Sequence, residues 1–64
     1  MSAIELLKEQ RKINPLNLKA VSAFRRKVQK IAKRTSECDA QSVIALDIIA
    51  TRMGMGPLKF KDQQ

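Results

Sequence analysis

Four cations, Lys19, Arg26, Lys30 and Lys33, recur at i, i+7, i+11 and i+14. At about 100° per residue that spacing sets them in one row along a helix, with Lys27 and Arg34 at its edge. A row of ammonium and guanidinium groups on a rigid rod can follow a line of phosphates, each contact releasing condensed counterions. The net charge of +7 is unevenly distributed. Residues 1–34 carry ten Lys or Arg against Glu5 and Glu9, a net of +8, whereas residues 35–64 carry three against four acids, a net of −1. Such an excess on one half of a chain points to a polyanionic partner: nucleic acid, a nucleotide, an acidic protein surface or anionic lipid.

Catalytic chemistry is poorly provided for. The chain has no His, no Tyr and one Cys, so the common general bases and activated nucleophiles are missing. Glu5 with Glu9 and Glu37 with Asp39 are acidic pairs that the electrostatics of helix starts explain. Gly54-Met55-Gly56 follows a helix rather than preceding one, unlike a phosphate-cradling loop. The expectation is a protein that is not an enzyme and carries no metal or cofactor. Cys38 alone cannot form an internal disulfide; it fits a reducing compartment and is expected to be a small, half-buried core residue. Met1 is followed by no apolar signal segment, and no uncharged run reaches the ~20 residues that span a bilayer. The expected location is cytoplasmic.

The elements that must position these residues read as helices. Ser2-Ala3-Ile4-Glu5 is an S-x-x-E capping box and opens a helix over about 3–12, closed by Asn14-Pro15. Asn14-Pro15 also suits the cap and first position of a second helix over 15–34, with Asn17 as an alternative cap. Val21, Phe24, Val28 and Ile31 keep a 3–4 spacing, flanked by Ala20 and Ala32, so one apolar stripe lies opposite the cations. That leaves no second apolar face for a lipid surface, and Trp is absent. Thr35-Ser36, with Asp39, caps a third helix over 37–53, which Gly54 ends. Residues 57–64 are a C-terminal segment that could hold a short fourth helix, with Asp62-Gln63-Gln64 reading as a frayed end. The fold class is a single all-α domain, a small bundle of three helices.

The stretch Asp47-Ile48-Ile49-Ala50-Thr51-Arg52-Met53-Gly54-Met55-Gly56-Pro57-Leu58-Lys59-Phe60 resembles a helix-turn-helix. Ala50 takes the small position inside the first helix and Gly54 the turn, with Met53 and Met55 flanking it. Phe60 takes the buried position of the recognition helix, which Pro57 would open. Gly56 stands where that unit usually has a polar cap, Leu58 would point outward, and little chain remains for the second helix. The resemblance implies a DNA-binding regulator whose base-reading candidates are Lys59, Lys61 and Gln63.

The third helix is apolar over most of its circumference. Val43, Leu46, Ala50 and Met53 share a face, Ile44 and Ile48 point away from it, and Ala45 and Ile49 fill the arc between. A domain of 64 residues buries only roughly 60% of its unfolded surface, and this one has neither disulfide nor zinc to stabilise it. A homo-oligomer, with a dimer as the simplest case, is therefore expected through Ile44, Ile48, Met53 and Met55. The expected function is a small basic nucleic-acid-binding protein, DNA ahead of RNA, acting as a dimeric regulator. The alternatives are a helical module that binds or inhibits an acidic protein partner, like a phage or mobile-element accessory protein, and an oligomeric binder of a small anion such as a nucleotide.

Overall fold

Ser2 caps the first helix as its sequence predicts, its Oγ accepting the Glu5 amide at 3.2 Å, and α1 runs Ala3–Gln10 in a computed structural model that describes residues 2–63. Two short-range bonds then close the chain, Lys12 N donating to Glu9 O at 3.0 Å and Ile13 N to Gln10 O at 3.3 Å. The second helix, α2, runs Leu18–Ala32 and starts three residues later than the Asn14-Pro15 cap implies. The reason is a turn. Asn14 Oδ1 accepts the Leu16 amide at 3.0 Å, and Asn17 N donates to Asn14 O at 3.0 Å. Pro15 thus sits at the second position of a β-turn, where its fixed φ is favoured. Asn17, in extended conformation, is the cap, its side chain accepting from the Ala20 amide.

The third helix, α3, runs Ala40–Arg52, also starting three residues later than expected. Here Ser36 Oγ accepts the Cys38 amide, holding a turn ahead of the helix, and Asp39 takes over as cap for Ser42 N. Cys38 therefore lies in that turn and is exposed, not half-buried. At the other end Gly54 adopts φ +66°. Gly54 N donates to Thr51 O at 3.3 Å and Met55 N to Ala50 O at 2.8 Å, a complete Schellman ending that a left-handed glycine permits. The remaining Met53 carbonyl is taken by Arg25, whose Nη2 and Nε reach it at 2.6 and 3.2 Å. A cation from α2 thus closes the negative end of α3.

The fold is an all-α bundle of three helices, with no strand among the described residues. α3 packs on both α1 and α2, while α1 and α2 meet each other least. Leu6, Val28, Leu46 and Ile49 are fully buried where the three converge, and Phe24, Ala32, Ala45 and Ala50 surround them. On α2 the stripe lies as its spacing predicts, with Val21 and Ile31 half-buried at its ends. On α3 the buried arc is rotated from the expected face: Ala45 and Ile49 lie in it, and Val43 is only half-buried at its margin.

No fourth α-helix forms among the described C-terminal residues. Residues 55–60 run without regular structure, and a single 3-10 turn follows at Lys61–Gln63. The segment is nevertheless fastened. Leu58 and Phe60 are buried against the core. Lys61 N donates to Thr35 O at 3.0 Å. Asp62 Oδ2 accepts from Ser36 Oγ at 2.8 Å and from the Glu37 amide at 3.2 Å. Asp62 is thus tied to the α2–α3 turn rather than frayed; Gln64 lies outside the described residues.

Candidate nucleic-acid interface

The cationic row is built by α2. Its apolar stripe fixes how the helix rolls onto α1 and α3, and that roll turns Lys19, Arg26, Lys30 and Lys33 outward. All four are exposed, as is Arg34 just past the helix. From Lys19 to Lys33 the row spans roughly 21 Å at 1.5 Å per residue. Lys27, at the edge, is different. Its Nζ pairs with Glu9 Oε1 of α1 at 3.0 Å, the one ion pair among the described residues. Both side chains keep access to solvent, so the pair is worth at most about 1 kcal/mol. It does leave Lys27 partly neutralised.

The C-terminal segment extends this surface. Lys33 and Lys59 line one groove of about 330 Å³ with Gln29, Met55 and Leu58. Lys19 and Arg26 line a second, of about 430 Å³, on the outer face of α2. Lys61 is exposed beside the α2–α3 turn, its backbone on Thr35. The chain therefore brings Lys59 to the end of the α2 row, although no helix carries it there. The segment does not form the recognition helix that the helix-turn-helix resemblance implies: Pro57 opens no helix, and Leu58 points inward, 9% exposed. Phe60 is buried, as that resemblance has it, but it serves an extended strap across the bundle.

Of the four residues expected at an oligomer interface, Ile44 and Ile48 lie on the outer side of α3, 60% and 37% exposed. Met53 is buried in the chain's own core, and Met55 packs against that core. Met53 continues the buried Leu46 and Ala50 face of α3, and the Schellman ending folds Met55 back onto the core. Sequence reasoning passed over Leu16 and Leu18, which stand almost fully exposed beside Asn17. It also passed over Arg11 and Arg25, which line a third cleft together with Arg52. No spacing within one helix links those three arginines.

Fold and surface together define a small all-α bundle with a cationic row along one helix and a basic strap at its end. Compared with protein-family models, curated proteins and solved structures, the chain matches none. Among the described residues no helix is long and apolar enough to cross a membrane.

Proposed function

We propose that this chain is a small nucleic-acid-binding protein, a cytoplasmic regulator that lays α2 along a phosphate backbone. The observation that carries this reading is the outward row Lys19, Arg26, Lys30 and Lys33, continued by Lys59, without a carboxylate paired to any of them among the described residues. An unneutralised row of this length matches about six base-pair steps of a duplex. Duplex DNA is favoured over RNA because the wide major groove of B-form DNA lets a helix lie close along its flanking phosphates, whereas the deep, narrow groove of A-form RNA does not. Contacts of this kind bind all sequences alike, so any sequence preference falls to Lys59 and Lys61 of the strap.

A charge substitution tests the reading. Lys30→Ala is expected to weaken binding about fivefold on every duplex at ~0.15 M salt, and to lower the slope of log K against log salt by about one. Lys27→Ala should do less, because Glu9 already holds that ammonium. Equal affinity for wild type and Lys30→Ala in an electrophoretic shift would remove α2 from the interface and favour an acidic protein partner.

Self-association is the second part of the proposal, and the exposed pair Ile44 and Ile48, one turn apart on α3, favours it. The folded chain exposes 4681 Å², against about 4100 Å² for a compact monomer of its mass. Covering an exposed Ile recovers up to about 1.5–3 kcal/mol. A dimer through this face should melt at a temperature that rises with concentration. Ile48→Lys should sediment as a folded monomer, since the side chain already reaches solvent. A wild-type chain that sediments as a monomer up to about 100 μM, with a concentration-independent melting temperature, would end this part of the account.

A further inference from the structure

A cleft of about 670 Å³ opens where the end of α1, the loop after it, α2 and the end of α3 meet. Arg11, Arg25 and Arg52 line it, no carboxylate does, and Ile13, Val21 and Met53 give it apolar walls. We propose that this cleft binds an anion with an aliphatic body, its carboxylate or phosphate head held by the arginines and its chain laid against the apolar walls.

Three features support the assignment. Like charges gathered around one concavity repel one another, and a bound anion relieves that repulsion. Two of the guanidinium groups are also held in place beforehand. Arg25 is anchored by Nε and Nη2 on the Met53 carbonyl, and Arg52 Nη1 lies 3.4 Å from Gln10 Oε1. Arg11 gives its backbone N–H to Glu9 O, while its guanidinium makes no hydrogen bond or ion pair among the described residues and is free to close on a ligand. A planar fork of this kind suits a carboxylate or phosphate oxygen pair. Finally, the volume is that of a small-molecule site, in which apolar walls and a few polar groups act together. Both phenylalanines are buried in the core and neither lines the cleft, so no ring is offered for a base to stack on. The body of the ligand is therefore aliphatic rather than a nucleobase. Val21 and Arg25 lie about 200–240° around α2 from Lys19, so this site is separate from the cationic row and stands without the nucleic-acid reading.

The test is an amide chemical-shift titration of the full chain with octanoate, octyl phosphate, octanol, octylamine and acetate, each below its aggregation concentration. Saturable one-to-one binding of octanoate or octyl phosphate is expected, with shifts centred on Ile13, Val21 and Met53. Octanol, octylamine and acetate should each bind at least tenfold more weakly. Arg11→Gln, which breaks no side-chain hydrogen bond or ion pair among the described residues, should weaken the acid about tenfold. Lys19→Ala/Lys30→Ala, which removes twice that charge from another side of α2, should bind within twofold of wild type. Octanol binding as tightly as octanoate, an equal loss in the Lys19/Lys30 variant, or no saturable binding at all would overturn the assignment.

Discussion

Replacing Lys19, Arg26, Lys30 and Lys33 together by alanine is expected to lower affinity for duplex DNA by about 10²–10³ at ~0.15 M salt. Each phosphate contact contributes about 0.9 to the dependence of log K on log salt, so removing four should lower that slope by three to four units. The loss should be the same on unrelated sequences, because phosphate contacts carry no base information. All four side chains are exposed and none is paired within the chain among the described residues. Alanine also has the highest helix propensity, so α2 should persist, and circular dichroism should match wild type. A folded variant that binds with the wild-type slope would place the contact surface elsewhere.

Leu46→Ala is expected to cost about 2–5 kcal/mol of folding stability. Leu46 is fully buried at the crossing of all three helices, among Leu6, Val28 and Ile49. A domain of this length has a total stability of roughly 3–10 kcal/mol, so the substitution removes a large share of it. The melting temperature should fall by more than about 10 °C. Leu16→Ala, at a position 86% exposed, is the matched control and should change it little. Thermal melts of the two variants at one concentration make the comparison. Equal shifts would mean that the three helices do not meet at Leu46.

The helical fold was legible because its signals are local and periodic. The 3–4 spacing of Phe24, Val28 and Ile31 fixes which side of α2 is buried, and with it which side carries the cations. Ser2, Asn17 and Gly54 each perform at a helix end what their residue types allow. Less legible were boundaries at which two polar residues compete. Asn14 and Ser36 can cap a helix or hold a turn, and here both hold turns, leaving Asn17 and Asp39 as caps. The roll of α3 was ambiguous because apolar residues surround it; packing chose Ala45, Leu46 and Ile49 and left Ile44 outside. The C-terminal segment carries no periodicity. Its course follows from long-range bonds, Lys61 to Thr35 and Asp62 to Ser36, that no local pattern announces. The arginine-lined cleft was invisible for the same reason, since Arg11, Arg25 and Arg52 come from three parts of the chain.

Binding of phosphate backbones by the α2 row is tested by the wild-type chain's affinity for one duplex DNA, one single-stranded DNA and one duplex RNA across a salt series. A straight line of log K against log salt is expected for duplex DNA, with a slope of about −4 to −5 for contacts from Lys19, Arg26, Lys30, Lys33 and Lys59. Binding to the RNA duplex should be weaker. No measurable binding to any of the three at low salt, or binding that salt leaves unchanged, would contradict this role of the α2 row.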